Sequence, residues 1–246
     1  MELRYYPVEG VGMIDKIHAD IFMAVNVVRD GDTVLIGGFG EAGNPTELVH
    51  ALLDHGARDL TLVNNNAGNG EVGLALLLRE RRVAKMICSF PRSSDSHVFD
   101  HLFRADAIEL ELVPQGTLAE RLRAAGAGIP AFYTPTAVGT ALAEGKETRE
   151  FDGRTYVLEQ ALHGDVALIK AETADRWGNL VYRKAARNFG PIMAAAARTT
   201  IAQVRRVVSL GDLDPETIVT PSIFTDRVVC VADPISERDF LKGHGA

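Results

Sequence analysis

Cysteine is scarce in this chain: two residues, Cys88 and Cys230, in 246. Two thiols cannot build a disulfide framework, so a reducing, cytoplasmic setting is the expectation. Positive charge is not in excess, since 33 acidic against 26 basic side chains leave a net charge of −7. That balance gives no reason to look for a nucleic-acid partner. No apolar run approaches the roughly 20 residues of a membrane span. Residues 1–12 show no basic segment followed by an apolar core, so they are not read as a secretory signal. Catalytic signatures are missing as well: there is no G-x-S-x-G elbow, no C-x-x-C and no H-E-x-x-H. Cys88 falls inside the apolar run Met86-Ile87-Cys88 and reads as packing, not as a nucleophile. Asp95, His97, Asp100 and His101 lack a metal-site spacing and read as helix-surface groups, so no metal is expected.

What the chain has is glycine in a particular place. Val34-Leu35-Ile36, entered from Asp30-Gly31, is a short β-branched run that reads as a buried strand. Gly37, Gly38, Gly40 and Gly43 follow, then Pro45 and a helical apolar period through Leu53. Strand, glycine loop and helix together can set backbone N–H groups and a helix N-terminus against an anion. The same pattern also serves as a tight βα turn. It is not a dinucleotide fingerprint, because no acidic residue ends a second strand about 20 residues on. Nor is it a P-loop, because no Gly-Lys-Ser/Thr follows.

Along the chain, Ile14 to Val28 has apolar residues at helical spacing. Leu60 to Val63 is a strand that runs into Asn64-Asn65-Asn66-Ala67-Gly68-Asn69-Gly70. Those asparagines suit a turn and also cluster polar groups where ligands sit in open α/β sheets. Val72 to Arg82 reads as helix and Lys85 to Phe90 as strand. Arg92 in the next polar loop is either an anion-binding guanidinium or an exposed charge. Ile108 to Val113 alternates and has one solvated face. Pro114-Gln115-Gly116 follows, and Thr117 with Glu120 has capping-box spacing. Gln115 thus stands in a strand-to-helix turn, where an amide can donate to an oxyanion or hold a carboxylate, or simply turn the chain. Pro130 to Pro135 reads as a turn-rich connection. Asp152-Gly153 is a type I′ hairpin signal. Val166 to Lys170, Thr200 to Val208 and Arg227 to Val231 are strands, and Pro191 to Ala197 is a helix. The expected class is α/β: an open, mostly parallel sheet with helices on both faces and antiparallel additions. Residues 1–12 read as an N-terminal extension ahead of one domain over residues 13–246.

The stretch Asp30 to Pro45 fits Asp-Gly-x-x-(three apolar)-Gly-Gly-Phe-x-x-x-Gly-x-Pro at every fixed position. It resembles the signature of alpha subunits of family I coenzyme A transferases. Further blocks resemble 3-oxoacid CoA-transferase alpha subunits: Asn65 to Gly68, Pro114 to Arg121, Gly126 to Pro130, Phe132 to Thr136, Gly178 to Leu180 and Ala186 to Phe189. Within that family Asn66 to Glu71, Cys88 to Arg92 and Arg183 to Pro191 look most like 3-oxoadipate:succinyl-CoA transferases.

The resemblance implies ping-pong transfer of CoA between carboxylates through a covalent glutamate, with a CoA thioester as substrate and no permanently bound cofactor. It places that glutamate in a beta subunit, in an expected α2β2 assembly. No motif carries the role onto Glu41, Glu47 or Glu71 of this chain. It implies CoA contacts from Gly37, Gly38, Phe39, Gly40, Glu41, Ala42 and Gly43, and makes Gln115 the active-site glutamine, with Asn65 and Asn66 in the same pocket. A separate expectation, from its charge alone, is that Arg92 binds the distal carboxylate of a dicarboxylic substrate. The rival readings are one half of an acetoacetate CoA-transferase, a sugar-phosphate isomerase-like enzyme and a non-catalytic ligand sensor of the same fold.

Overall fold

The computed structural model describes residues 14–93 and 95–236; the expected extension over residues 1–12 lies outside them. In chain order, β1 (Ile17–His18) leads to α1 (Ile21–Val25), β2 (Thr33–Ile36), α2 (Thr46–His55), β3 (Leu60–Val63) and α3 (Leu74–Arg79). Next come β4 (Val83–Cys88), α4 (His97–Arg104), β5 (Glu109–Leu112), α5 (Gln115–Gly126), β6 (Ala131–Thr134), β7 (Thr148–Phe151) and β8 (Arg154–Gln160). The chain ends with β9 (Gly164–Lys170), β10 (Thr173–Asp175), β11 (Leu180–Val181), α6 (Gly190–Ala196), β12 (Ala197–Val204), β13 (Arg206–Val208) and β14 (Arg227–Cys230).

Eight strands form one sheet in the order β1-β14-β12-β9-β2-β3-β4-β5, and every neighbouring pair is parallel. The antiparallel pairings lie apart, in two three-stranded sheets, β6-β8-β7 and β11-β10-β13. An all-parallel sheet needs cover on both faces, and alternating side chains supply it. Val34 and Ile36 of β2, with Val166 and Leu168 of β9, pack under residues of α1 to α4. Leu35, Ala167 and Ile169 point the other way, against Leu118 and Leu122 of α5 and Met193 of α6. Full burial of a side chain such as Leu35 contributes about 1.5–3 kcal/mol. The Asp152-Gly153 hairpin forms with both residues at positive φ, 49° and 72°, as a type I′ turn requires.

Four local expectations are overturned. Residues 14–28 are not one helix. The Asp20 carboxylate caps α1 by accepting from Phe22 N (2.8 Å), and Ile17 and His18 instead extend the sheet beside Val228 and Val229. Thr117 does not cap α5. Pro114, at φ −53°, sets the helix to start at Gln115, with no side-chain cap bond, and Thr117 is buried within its first turn. Ala131–Thr134 is a strand, because it pairs with residues 157–160, too distant for a local pattern to show. Residues 200–208 split at Arg205: the N–H groups of Arg205 and Arg206 both donate to Glu172 O (3.1 and 3.2 Å), and β13 crosses to the small sheet beside β10.

The topology singles out one place. From β2 the chain crosses over to β3 on one side, whereas from β9, its neighbour, it continues to β12 on the other. Carboxyl ends of strands at such a switch point open a crevice that helices do not cover. The loops after β2, β3, β4 and β5 all emerge on that edge.

Candidate active site

The loop after β2, residues 37–45, is a miniature hairpin. Phe39 N donates to Ala42 O (3.0 Å) and Ala42 N to Phe39 O (3.2 Å), leaving Gly40 and Glu41 as the two-residue tip. Gly38 sits at φ +129°, where a Cβ would overlap Asn44 Oδ1, and Gly43, at φ +81°, lies against Ala186 O. Both positions therefore require glycine. Gly40, at φ +60°, faces open space. Gly37 N donates to Leu168 O (2.9 Å) and Gly38 N to Asn188 Oδ1 (3.2 Å). The inner amides are thus engaged within the chain. The loop does not offer the continuous row of free N–H groups that an anion cradle would need; it offers its exposed tip and the Phe39 ring.

The asparagine run after β3 divides its labour. Asn64, buried, donates to Ile36 O (2.7 Å) and accepts from Asn66 N (2.9 Å), which ties the second loop to the end of β2. Asn66 Oδ1 accepts from Gly68 N (2.9 Å) in an Asx turn. Asn65 O accepts from Ser89 N and Phe90 N (3.2 and 2.9 Å), and its side-chain Oδ1 accepts from Gln115 Nε2 (2.9 Å). Asn64 and Asn66 take turn roles, while Asn65 turns its side chain toward Gln115 and the cleft. Gln115 stands at the N-terminus of α5, exposed, with one amide hydrogen committed to Asn65 and its other donor and acceptor capacity uncommitted.

These loops enclose a cleft of about 490 Å³, lined by Phe39, Gly40, Asn65, Asn66, Asn69, Ser89, Phe90, Ser93 and Gln115. The volume suits a small acid or the thioester end of a larger ligand. Among the described residues the lining is amide, hydroxyl and aromatic, with no acid, base or cation. Phe39 and Phe90, 49% and 60% exposed, flank it. Ser89 Oγ is buried and without a hydrogen-bond partner. Ser93 Oγ pairs with Asn69 Oδ1 and lies 2.9 Å from Ser96 Oγ.

The sequence-derived candidates separate cleanly. Phe39, Gly40, Asn65, Asn66 and Gln115 meet in the cleft. Gly37, Gly38, Ala42 and Gly43 shape the loop from behind. Glu41 faces a second recess of about 210 Å³, shared with Thr46, Lys170 and Ile235. Arg92 does not line the cleft: its guanidinium is paired with Asp100 (2.6 Å) and lies over the Phe103 ring. Glu47 is held by Gln203 Nε2 (2.5 Å) and by Ile235 N, and Glu71 pairs with Arg79 (2.9 Å). Burial pushes the Cys88 thiol up to about 12, which removes it as a nucleophile. Asn69, Ser89, Ser93 and Asn188 were given no individual role from sequence, although Asn69, Ser89 and Asn188 fall within stretches that carry the family resemblance. Among the described residues no cluster of metal-ligating side chains occurs, and no helix is long and apolar enough to cross a membrane.

Comparisons with known proteins give the chain's family and fold relatives. The family model described as "Coenzyme A transferase" matches residues 19–231. The chain is 65% identical over 220 residues to one of the subunits of 3-oxoadipate CoA-transferase of Pseudomonas putida, covering 89% of this chain and 95% of that one. It is 53% identical over 232 residues to one of the subunits of succinyl-CoA:3-ketoacid coenzyme A transferase of Xanthomonas campestris pv. campestris, covering 93% and 95%. A solved acyl-CoA transferase from E. coli O157:H7, in a thioester complex with CoA, superposes with a TM-score of 0.77 at 22% identity. That match covers 90% of this chain and 50% of that one, so the present chain spans half the length of that protein, and the likeness is one of fold.

Proposed function

The chain belongs to the coenzyme A transferase family, and from that premise we propose that it is the alpha subunit of an enzyme moving CoA from succinyl-CoA to 3-oxoadipate. The observation that carries the division of labour is the lining of the cleft: hydrogen-bonding amides and hydroxyls, with no carboxylate among the described residues and no base there to activate a serine hydroxyl. The covalent carboxylate comes from the beta subunit, docked over this edge of the sheet in an α2β2 complex in the cytoplasm, with no permanent cofactor.

In this reading the partner's glutamate attacks the succinyl thioester carbonyl and the carbonyl electrons move onto oxygen. Collapse expels the CoA thiolate and leaves a mixed anhydride. The thiolate then attacks the glutamyl carbonyl, releasing succinate and forming an enzyme–CoA thioester, and the 3-oxoadipate carboxylate takes up CoA by the reverse sequence. Splitting one transfer into such steps lowers each barrier. Gln115 supplies an uncommitted N–H toward the developing oxyanion or the substrate carboxylate. Asn65 holds the Gln115 amide in place at 2.9 Å, and Asn66 adds a second polar wall. Phe39 and the Gly40-Glu41 tip contact the pantetheine end of CoA.

The test is CoA transfer from succinyl-CoA to 3-oxoadipate by this chain alone and by the chain mixed with its beta subunit. Activity only in the mixture supports the proposal. Activity from the chain alone refutes a nucleophile in the partner. Transfer to acetoacetate but not to 3-oxoadipate would replace the substrate assignment.

A further inference from the structure

We propose that Asn188 is a positioning residue that holds the glycine loop in its reactive shape, an inference that rests on the function just proposed. Its primary amide is saturated. Oδ1 accepts from Gly38 N (3.2 Å) and Phe189 N (2.6 Å), while Nδ2 donates to Ala42 O (2.7 Å) and Ala185 O (2.9 Å). A primary amide has two acceptor sites and two donor hydrogens, and here two of the four bonds go to the loop and two to Asn188's own turn. The two loop bonds grip Gly38 and Ala42, the residues on either side of the Phe39-Gly40-Glu41 tip. One side chain, 146 or more residues away in sequence, therefore sets the base of the hairpin whose tip lines the cleft.

Asn188's own turn braces the loop as well. The turn that carries Asn188 touches it directly, since the atom nearest a Cβ on Gly43 is Ala186 O. Gly38 and Gly43 have the least restricted backbones, so nothing in their own side chains fixes the hairpin. Phe39 is half exposed and contributes no core packing of its own to hold it. Asn188 does not line the cleft; its effect passes through the loop. A loop released from its working geometry takes its substrate less well, and a misplacement of about 1 Å can cost about a hundredfold in rate.

The test uses the assembled complex with Asn188→Ala and the milder Asn188→Ser, compared by hydrogen exchange and by two-substrate kinetics. Expected are faster exchange at the Gly38 amide and a KM for succinyl-CoA raised about tenfold, consistent with a displaced loop, with the KM for the 3-oxo acid within about twofold. A purely structural role would lower the active fraction and the apparent kcat without moving either KM. Unchanged exchange at Gly38 in both variants overturns the clamp. Faster exchange with an unchanged KM for succinyl-CoA overturns its role in positioning the loop for the thioester. Absence of transfer by the unmutated complex would strike at the proposed function instead, and exchange at Gly38 would still decide whether Asn188 holds the loop.

Discussion

Replacing Gln115 by alanine separates chemistry from folding more sharply than any other change in the cleft. The side chain is exposed, packs into no core, and makes one hydrogen bond, to Asn65 Oδ1 at 2.9 Å. Losing that bond costs about 0.5–1.5 kcal/mol, and a little more because Asn65, 5% exposed, is left with an unpaired oxygen. Alanine is also the better helix former at the start of α5, which offsets part of that loss. Catalysis should suffer more. Removing one neutral donor from a developing oxyanion costs about 2.7–4 kcal/mol, and where neighbouring donors at the α5 N-terminus compensate, the loss is smaller. The expected fall in kcat/KM is therefore about ten- to a thousandfold, with the complex intact on gel filtration. A fall carried by kcat assigns Gln115 to the transition state; a fall carried by the KM of the 3-oxo acid alone assigns it to the ground-state carboxylate. The Gln115→Glu variant keeps the shape but turns an oxygen toward Asn65 Oδ1, and should lose as much. Kinetics within threefold of the parent in both variants, with assembly preserved, would remove Gln115 from the mechanism.

The remaining predictions test the loop, the outlying arginine and one histidine. Gly38→Ala should be destabilising by more than about 3 kcal/mol, because backbone strain and overlap with Asn44 add, whereas Gly40→Ala, with open space around it, should cost about 1 kcal/mol; thermal melting of the two variants ranks them, and equal losses would contradict the loop geometry. Arg92→Ala should leave the KM values for 3-oxoadipate and for a monocarboxylic 3-oxo acid alike within about twofold, since the pairing with Asp100 is half exposed and of little energetic weight; a selective rise for the dicarboxylate would restore a carboxylate-binding role. Burial lowers the pKa of His50 below its ordinary 6.5, against the opposing pull of Glu47 and Asp54, and its Nε2 accepts from Gly73 N (3.2 Å). The unfolded chain then binds the proton more readily than the folded one, so the contribution is complete above about pH 6.5 and is lost as pH falls through the folded pKa. The fall in melting temperature between pH 7.5 and 5.5 should be smaller in His50→Gln, and an identical fall would show that His50 titrates normally.

Much of the fold was legible because local pattern and tertiary structure coincided. Val34-Leu35-Ile36, Leu60 to Val63 and Val166 to Lys170 read as strands because burial on both faces demands continuous apolar runs. Asp152-Gly153 read as a hairpin because only a few residues tolerate two positive φ values in succession. The errors fell where the deciding partner was remote. Ile17 and His18 join an edge whose other half is 211 positions later, Ile17 lying beside Val228, and Ala131–Thr134 pairs with a strand that begins 20 residues beyond it. The convergence of part of the candidate site was legible in the same sense. Gln115, Asn65 and Asn66 follow strands whose ends meet, so their convergence could be anticipated. The place of Arg92 was not legible, because its charge says nothing about Asp100, eight residues on and one helical turn into α4, with which it pairs outside the cleft. Asn188 lies within a stretch that carries the family resemblance, but its role could not be read locally, because its partners Gly38 and Ala42 stand 150 and 146 positions earlier.

The absence of charge from the described cleft lining is itself a catalytic argument. In the proposed reaction the substrates are carboxylates and a thioester, and the attacking group is a carboxylate. An arginine here would bind the acceptor carboxylate strongly in the ground state and blunt any carboxylate nucleophile brought beside it. Tight ground-state binding of that kind lowers KM without accelerating the chemical step. A neutral amide behaves differently. Its attraction for a resting thioester carbonyl is weak and grows as charge accumulates on that oxygen, so the gain is concentrated in the transition state. Fixing the amide in advance, as Asn65 does for Gln115, avoids reorganising a dipole at the moment of reaction. The burial of Asn65 and the tie from Asn64 to the end of β2 extend that rigidity back into the sheet. By this reasoning Gln115→Arg, which adds charge where the structure has none, should bind the 3-oxo acid more tightly and turn over more slowly; a variant that gained in both KM and kcat would show that the neutrality of the cleft is incidental.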